Sequence, residues 1–247
     1  MSVHAPRSSP LEVCSIAVRR LVLFDIDGTL LSTDGRAGEA LGRALEATYG
    51  TAGPIAGYSF AGKTDPQIVF ELMAAAGLSR DAIEARLPHA FETYCRHLER
   101  ALAPSGARVL PGVRELLGAL ERRGDTALGL LTGNVRAGAM IKLGAASLAS
   151  RFAIGAFGSD DADRDRLVPV ARRRALQRWG DGFPGTRTVV IGDAEADVRC
   201  ARCGGAWAVA VASGKTPRER LAATGPDVLL DSLAASEALD AVLGPAS

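Results

Sequence analysis

Five continuous apolar runs divide the chain, and between them apolar residues recur every third or fourth position. Continuous runs of about four to eight apolar residues are typical of buried strands, whereas the wider spacing is typical of amphipathic helices. The runs predict strands near residues 21–26, 127–131, 153–157, 188–191 and 207–212. The spaced segments predict helices at 112–123, 135–146, 168–179, 195–203 and 217–223. This alternation predicts right-handed βαβ crossovers and a parallel sheet, and therefore an α/β fold.

The region from about Asp34 to Arg108 lacks such runs. Its apolar residues follow helical spacing instead, which indicates four amphipathic helices. These helices are predicted at 37–49, 65–76, 80–87 and 89–102. The chain is therefore predicted to combine a sheet-forming part with a helical segment that follows the first strand.

Two aspartates, Asp25 and Asp27, come directly at the end of the first apolar run, and Gly28 permits a turn after them. Open α/β sheets place their ligands at the carboxyl ends of the strands, so both carboxylates lie at a predicted site. A pair of buried acids is costly to ionise, and a bound divalent cation offsets that cost. Mg²⁺ is the first choice because it prefers carboxylate and water oxygens and commonly meets a substrate phosphate. A helix cap or an Asx turn is the structural alternative.

Two later runs end in polar groups of the same kind. One ends in Thr132, Gly133 and Asn134, where a hydroxyl and backbone N–H groups offer a phosphate-sized site at a helix N-terminus. A simple capping role for Thr132 is the alternative. Another run delivers Asp193 and, one helical turn later, Asp197. Asp193 would complete a metal site, and Asp197 can orient a metal-bound water, complement the helix dipole, or do both.

The charged stretch 158–168 supplies the candidate cations. Phosphoryl transfer spreads negative charge over the equatorial oxygens, and a fixed Lys or Arg stabilises it. Arg164 and Arg166 are both placed to supply this charge. The arginines at 172–174 are interpreted as the solvated face of a helix.

Taken together, these motifs resemble the haloacid dehalogenase superfamily, in the branch similar to phosphoglycolate phosphatase. The resemblance covers about residues 20–235. It rests on Asp-Ile-Asp-Gly-Thr-Leu, then Leu-Thr-Gly-Asn, then a basic residue, then Gly-Asp followed by another aspartate. It implies a Rossmann-like parallel sheet core with an inserted helical cap domain. The core would comprise residues 1–33 and 108–247, and the cap residues 34–107.

The resemblance also implies a role for each motif residue. Asp25 would be the nucleophile that forms an aspartyl-phosphate, and Asp27 the general acid and then the general base. Thr132 would bind the phosphoryl oxygens. The Asp25 carboxylate, the Asp27 backbone carbonyl and the Asp193 carboxylate would hold Mg²⁺. Asp197 would lie near the metal or bind it through water.

The basic residue departs from the family's pattern, which is a lysine followed by proline. Here the matching stretch offers arginines, and the proline comes later, at Pro169. Aligning the following helix places Arg166 at the lysine position, whereas a loop one turn longer places Arg164 in the same pocket. We favour Arg164 and keep Arg166, because either guanidinium can donate a bidentate fork to phosphate.

Within the cap, the loop 62–65 between two predicted helices is the best candidate for contact with a substrate. Lys63 and Thr64 are predicted to bind substrate from this loop, together with Gly133 and Asn134 from the core. The loop precedes a proline, however, which is equally typical of an ordinary helix start, and Lys63 can simply be solvated.

These features predict a magnesium-dependent phosphomonoester hydrolase of a small metabolite, such as phosphoglycolate or a sugar or organic-acid phosphate. Asp27 argues against a dehalogenase, which lacks an acid two residues after its nucleophile. A phosphomutase or a phosphonatase on the same scaffold is the alternative, and Lys63 is the only cap lysine for the Schiff base that a phosphonatase needs. A non-catalytic binding protein with this fold is the third hypothesis.

Composition limits the classes of partner that are expected. The 247 residues are 47% hydrophobic and 23% charged with a net charge of +1, which does not favour nucleic acid as a partner. No apolar run approaches the roughly 20 residues needed to span a membrane. Residues 1–18 lack the continuous apolar core of a signal peptide, so a cytoplasmic location is predicted. The expected partner is a small phosphorylated metabolite, and the oligomeric state is left open.

Four cysteines are too few for a disulfide scaffold in a chain of this length. Cys200 and Cys203 form a single Cys-x-x-Cys without a second pair, and zinc would need two more ligands. The three histidines lie far away in sequence, at positions 4, 89 and 97. No metal or redox role is therefore predicted for this pair.

Overall fold

The computed structural model of the chain describes residues 18–244, which form a six-stranded parallel sheet, helices on both of its faces and a short antiparallel strand pair. The strands are β1 (Arg20–Phe24), β2 (Leu31–Ser32), β3 (Arg108–Val109), β4 (Thr126–Thr132), β5 (Ile154–Phe157), β6 (Thr188–Gly192), β7 (Trp207–Val211) and β8 (Val228–Leu230). The helices are α1 (Arg36–Tyr49), α2 (Asp65–Ala75), α3 (Arg80–Glu84), α4 (Leu87–Leu102), α5 (Val113–Arg123), α6 (Arg136–Ala145), α7 (Leu167–Trp179), α8 (Glu195–Cys203), α9 (Arg218–Ala223) and α10 (Ala238–Leu243).

The sheet has the strand order β5-β4-β1-β6-β7-β8, and every neighbouring pair is parallel. From the central strand β1 the chain builds β4 and β5 on one side, then crosses back to build β6, β7 and β8 on the other. The carboxyl ends of β1, β4 and β6 therefore lie side by side where the strand order reverses. Ligands of open α/β sheets bind at such a switch point.

Strand β1 shows why this sequence forms a central strand. Its apolar residues are fully buried, and they divide between two cores. Val22 and Phe24 join the core that α5, α6 and α10 complete, while Leu21 and Leu23 join the core under α7 and α8. Successive side chains of a strand point to opposite faces, so a strand buried on both faces must be apolar throughout.

Helices α1 to α4 form the inserted helical cap, which has a hydrophobic core of its own. Leu45, Leu72 and Leu98, from three of these helices, are buried in it. The insertion leaves and rejoins the rest of the chain through β2 and β3, whose antiparallel pairing sets Leu31 opposite Val109. The predicted fold class, a parallel sheet core with an inserted helical cap, is thus confirmed, while the domain limits at 33/34 and 107/108 stay predictions.

Four elements were not predicted, the strands β2, β3 and β8 and the helix α10. The strands have two or three residues and the helix has six, so none carries enough apolar positions to show a clear period. The predictions for the first seventeen residues, including the absence of a signal peptide, lie outside the described residues, as do the last three residues of the predicted core. Over the described part of the chain, no helix combines the length and the hydrophobicity that crossing a membrane requires.

Candidate active site

A cavity of about 440 Å³ opens where the sheet edge faces the cap. Both parts of the chain line it. The core contributes residues that follow β1, β4 and β6, and the cap contributes residues of its loops and of α2 and α4. The lining residues that matter below are Asp25, Asp27, Thr132, Asp193, Lys63 and Asp65.

Three buried carboxylates meet beside this cavity, and those of Asp25 and Asp193 line it. Asp25, Asp193 and Asp197 each place a carboxylate oxygen within 4.8 Å of the others. Asp25 and Asp193 follow adjacent parallel strands, and Asp197 lies on the first turn of α8, which brings residues far apart in sequence together. Within the described part of the chain, no other group of three or more His, Cys, Asp and Glu residues brings its ligand atoms this close together.

Two glycines make room for Asp193. Gly28 has a φ of 83°, and a Cβ at this position would lie 2.4 Å from Asp193 Oδ2. A Cβ on Gly214 would lie 1.6 Å from the same oxygen. Thr29 donates a hydrogen bond to the other oxygen, Oδ1, at 3.2 Å. Gly28 and Gly214 therefore lie so close to the Asp193 carboxylate that neither position has room for a side chain while this carboxylate stays in place.

Burial leaves these acids short of compensating charge. It raises the pKa of Asp25 to about 6, although Arg164 opposes the shift. Burial also raises the pKa of Asp193 well above its ordinary value, and the neighbouring carboxylates of Asp25 and Asp197 add to the rise. Carboxylate oxygens are hard ligands, and three of them in one buried place fit Mg²⁺ or a similar divalent cation.

Among residues 18–244, Arg164 is the cation that forms ion pairs with these acids. It lies in a short 3₁₀ turn before α7, its side chain is 4% exposed, and its Nη2 lies 3.0 Å from Asp25 Oδ1. The same nitrogen bonds Asp197. A guanidinium beside these acids can also donate to the oxygens of a bound anion.

Arg166 is not brought to the site. Its side chain is 72% exposed and lies 3.5 Å from Asp163 and 3.9 Å from Asp161, both on the surface loop. A 3₁₀ turn places residues two apart on different sides, so one of the two arginines faces inward and the other outward. The structure thus separates the two candidates that the sequence left together.

Both carboxylate oxygens of Asp197 accept hydrogen bonds. Its Oδ2 accepts a hydrogen bond from the backbone N–H of Ala194 at 2.9 Å, at the start of α8. Its Oδ1 is the oxygen that bonds Arg164. Asp197 therefore lies at the N-terminus of α8 and also lies among the acids of the site.

Asp27 lines the same cavity, and its side chain is 42% exposed. Its Oδ2 accepts two hydrogen bonds, from Asn134 Nδ2 at 2.8 Å and from Lys142 Nζ at 2.6 Å. Lys142 also donates to Asn134 Oδ1 at 2.6 Å, and Asn134 donates to Thr132 Oγ1 at 2.8 Å. The strand end after β4 thus holds the second carboxylate of the first motif.

Lys142 and Asp65 were not predicted as site residues. Lys142 is 3% exposed on the face of α6 that also buries Gly138, Ala139 and Leu143. The signal was present, because helical spacing puts a lysine among the buried positions of α6. Asp65 accepts a hydrogen bond from Val135 N at 2.7 Å, and burial raises its pKa to about 6 although Lys142 lowers it.

The two cap-loop residues that were predicted to bind substrate, Lys63 and Thr64, already make contacts within the protein. The Thr64 hydroxyl donates to Ala162 O at 2.8 Å and accepts from Gln67 N, which caps α2. Gly133 lies under this loop, and a Cβ there would be 2.1 Å from Lys63 O. Lys63 Nζ itself binds Glu71 at 2.5 Å, so the structure engages Lys63 and Thr64 within the protein.

The two cysteines of the Cys-x-x-Cys pair lie in different surroundings. Cys200 is buried, and its thiol donates to Arg164 O at 3.0 Å, while Cys203 is exposed. Burial raises the pKa of the Cys200 thiol to about 12. Cys200 therefore helps to seat the turn that carries Arg164.

Comparison with known proteins places this geometry in a family. A family model for haloacid dehalogenase-like hydrolases matches residues 19–205. The chain is 32% identical to a plasmid-encoded phosphoglycolate phosphatase of Cupriavidus necator over 230 residues, which are 91% of this chain and 93% of that protein. It is 29% identical to a phosphoglycolate phosphatase of Rhodospirillum rubrum over 225 residues, 87% of this chain and 88% of that protein.

Solved structures share the fold. CbbY from Rhodobacter sphaeroides, determined in complex with phosphate, matches 91% of this chain and 99% of its own with a TM-score of 0.67 at 20% identity. A hydrolase from Pseudomonas syringae matches 87% of this chain and 94% of its own with a TM-score of 0.64 at 23% identity. The arrangement of sheet and cap is therefore one that other proteins have.

Proposed function

The chain belongs to the haloacid dehalogenase-like hydrolases, and from that premise we propose that this phosphatase is a magnesium-dependent phosphomonoesterase of a small metabolite that works through an aspartyl-phosphate. Phosphoglycolate, or a sugar or organic-acid phosphate of similar size, is the proposed substrate. The observation that carries the proposal is the meeting of Asp25, Asp193 and Asp197 with Arg164 beside a cavity that Asp27 also lines.

Asp25 is the proposed nucleophile. Its carboxylate lies at the carboxyl end of β1, lines the cavity and is held by Arg164 at 3.0 Å. A carboxylate oxygen of Asp25 forms a bond to phosphorus as the bond from phosphorus to the ester oxygen breaks. The arrangement divides a difficult displacement into two easier ones. Water then attacks the phosphorus and frees Asp25.

Asp27 is the proposed general acid and base. It donates a proton to the departing ester oxygen and afterwards takes one from the attacking water, which returns it to its first state. The buried Arg164 guanidinium and the Thr132 hydroxyl hold the phosphoryl oxygens, where charge develops. The ion pair of Arg164 with Asp25 supports this role, because it holds the guanidinium beside the proposed nucleophile.

Mg²⁺ would be held by the carboxylates of Asp25 and Asp193 and by the backbone carbonyl of Asp27, with Asp197 beside it or joined through water. When bound, it would offset the negative charge of the acids and of the phosphate. The raised pKa values of Asp25 and Asp193 support this assignment, because they mark buried carboxylates that the protein alone does not neutralise.

One observation weighs against the phosphonatase alternative. A Schiff-base lysine needs a lowered pKa, so that its amine is free to attack. Partial burial lowers the pKa of Lys63, but its hydrogen bonds to Glu71 and Tyr58 outweigh this and raise the pKa overall. Lys63 is the only lysine of the cap, so no better candidate is available there.

The test is phosphate release from a panel of small phosphate esters, with and without Mg²⁺. We expect Mg²⁺-dependent release by the native chain and a loss of roughly 10⁴-fold or more in Asp25→Asn. Asp231→Asn, the same change at an exposed acid paired with Arg218 outside the cavity, serves as the matched control and keeps full activity. Acid quench followed by mass spectrometry should find phosphate on Asp25.

The opposite results are equally informative. A folded native chain that releases phosphate from none of the esters would overturn the phosphomonoesterase proposal. Full activity in Asp25→Asn would overturn the aspartyl-phosphate mechanism alone. Equal activity with Mg²⁺ and with a chelator would remove the metal from the proposal.

A further inference from the structure

Lys142 is a buried cation that the proposed roles leave unused. The residue is 3% exposed, and its ammonium lies 2.6 Å from Asp27 Oδ2. Lysine is almost never fully buried unless it is paired, because the charge must be taken out of water. An apolar residue would fill this face of α6 at lower cost, so stability alone does not account for a lysine here.

The hydrogen bonds distinguish the two oxygens of the Asp27 carboxylate. Lys142 Nζ and Asn134 Nδ2 both donate to Oδ2, at 2.6 and 2.8 Å. Within residues 18–244, Oδ1 takes part in no hydrogen bond. An oxygen that already accepts two N–H groups is a poor place for a proton, since a hydroxyl there would face both donors.

The two donors also hold each other in place. Lys142 donates to Asn134 Oδ1, which fixes the amide so that its Nδ2 faces Asp27. Asn134 is bound in turn to Thr132 at the end of β4. The clamp therefore connects α6, the end of β4 and the turn after β1, all of which are parts of the core.

We propose that Lys142 is a positioning residue that, with Asn134, clamps Oδ2 of Asp27 and so reserves Oδ1 as the atom that carries the transferred proton. This rests on the proposed function. In the first step the proton moves from Oδ1 to the departing ester oxygen while Asp25 bonds to phosphorus. In the second step a proton of the attacking water returns to Oδ1 while the bond from Asp25 to phosphorus breaks.

The proposal has a consequence that depends on the leaving group. An alkoxide leaves poorly unless it is protonated, whereas 4-nitrophenolate leaves without a proton. Misplacing the proton on Asp27 should therefore slow the cleavage of an alkyl phosphate and spare the first step with 4-nitrophenyl phosphate. A lysine that served only to support the structure would affect both esters equally.

The experiment compares single-turnover cleavage of the best alkyl ester from the panel with the nitrophenolate burst from 4-nitrophenyl phosphate. In Lys142→Met we expect the alkyl ester to be cleaved about 100-fold more slowly. The burst rate with the aryl ester should change by less than roughly threefold, on the same argument. Later turnovers should fall with both esters, because the hydrolysis step needs Asp27 as a base.

Asp65→Asn is the matched control. Asp65 is the second acid that acts on Lys142, and an asparagine oxygen can still accept the hydrogen bond from Val135. This variant keeps the clamp on Asp27, so the ratio of the two rates should stay at its native value. Lys142→Met/Asp65→Asn removes one buried charge of each sign and should show the same altered ratio as Lys142→Met.

Several results would overturn the proposal. One is that both esters slow by the same factor in a folded Lys142→Met or in the double variant. If neither folds, Asn134→Ala removes the other donor to Oδ2, and an unaltered ratio there would also overturn it. A native chain that cleaves neither ester would instead contradict the proposed function, so the two failures are distinguishable.

Discussion

Two charge clusters contribute to the lining of the cavity, and they are built differently. The strand-end cluster consists of Asp25, Asp193, Asp197 and Arg164, and the α6 cluster consists of Asp27, Asp65, Lys142 and Asn134. In the first, three carboxylates lie close together, and one guanidinium pairs with two of them. In the second, one ammonium pairs with the carboxylate of Asp27 and acts on that of Asp65 through its charge alone, and an amide also donates to Asp27.

The difference separates two uses of a buried acid. The strand-end cluster has more negative charge than its own cation can offset, so it suits the binding of a further cation. The α6 cluster is closer to balance, and its hydrogen bonds fix one carboxylate oxygen. Excess negative charge in the strand-end cluster thus indicates a site for a bound cation. The smaller excess in the α6 cluster, together with its hydrogen bonds, indicates a side chain that is held in one orientation.

Apart from loss of the Asp25 nucleophile, the largest expected effect comes from removing the cation of the strand-end cluster. Arg164→Ala should lower kcat/KM by about 10³-fold, because a guanidinium that stabilises transferring phosphoryl oxygens has an effect of this order. Arg166→Ala, the same change two residues away at an exposed side chain, should stay within about twofold of the native value, as surface changes usually do. Phosphate release at saturating Mg²⁺ measures both.

The reverse ranking, with Arg166→Ala the more damaged, would place the catalytic cation on the surface loop and contradict the structure. Thermal unfolding in Mg²⁺ checks that Arg164→Ala folds, since the change leaves Asp25 and Asp197 without their partner. Arg164→Lys keeps the charge but not the fork, and its activity should lie between the native chain and Arg164→Ala.

A smaller effect is expected from crowding the strand-end cluster without changing its charge. Gly214→Ala introduces a Cβ that would lie 1.6 Å from Asp193 Oδ2, so the carboxylate must move. We expect the Mg²⁺ concentration for half-maximal activity to rise roughly 10- to 100-fold, the range seen when groups that orient metal ligands are lost. Titration of phosphate release with Mg²⁺ measures this shift.

Gly144→Ala is the matched control for that substitution. A Cβ at Gly144 meets nothing within 4 Å, and the residue lies in α6. It should leave the Mg²⁺ requirement unchanged and stabilise the chain by about 0.5 to 1 kcal/mol through helix propensity. Equal Mg²⁺ requirements in the two variants would mean that Asp193 does not contribute to metal binding.

The two clusters differ in how far the sequence predicted them. The acids of the strand-end cluster could be named because each stands within a few residues of a strand's carboxyl end, and parallel strands bring those ends together. The contacts in the α6 cluster span 115 residues between Asp27 and Lys142 and 70 between Asp65 and Val135. No local period encodes such a pairing, so the lysine could be found on a buried face but its partner could not.

Local ambiguity explains the remaining differences. Arg164 and Arg166 are two residues apart, and only the short turn before α7 decides which of them faces inward. Lys63 and Thr64 form a plausible substrate loop in the sequence, but their side chains bind Glu71 and Ala162 in the structure. Polar residues at a helix start can bind a substrate or make contacts within the protein, and the tertiary structure determines which of these they do.

The smallest expected effect is on stability, and it comes from Asp65 of the α6 cluster. Burial raises the pKa of Asp65 from an ordinary 3.8 to about 6, so the native state binds a proton that the unfolded chain has released between these values. The free energy of unfolding therefore falls as pH rises from about 4 to 6, by at most about 1 kcal/mol per pH unit for this one group. Asp65→Asn removes this contribution, so its stability relative to the native chain should rise over that range and level off above it.

Urea unfolding at several pH values, with and without Mg²⁺, turns this effect into a test of the difference between the clusters. Asp25→Asn should show the same trend without metal, because burial also raises the pKa of Asp25 to about 6. Mg²⁺ favours the ionised Asp25 of the native chain and should abolish or invert that trend, while the trend for Asp65→Asn stays as it was. A trend of opposite sign for Asp65→Asn would mean that Lys142 outweighs burial and that the α6 cluster is a stabilising ion pair. An effect of Mg²⁺ on both variants alike would mean that the two clusters do not differ in their need for a cation.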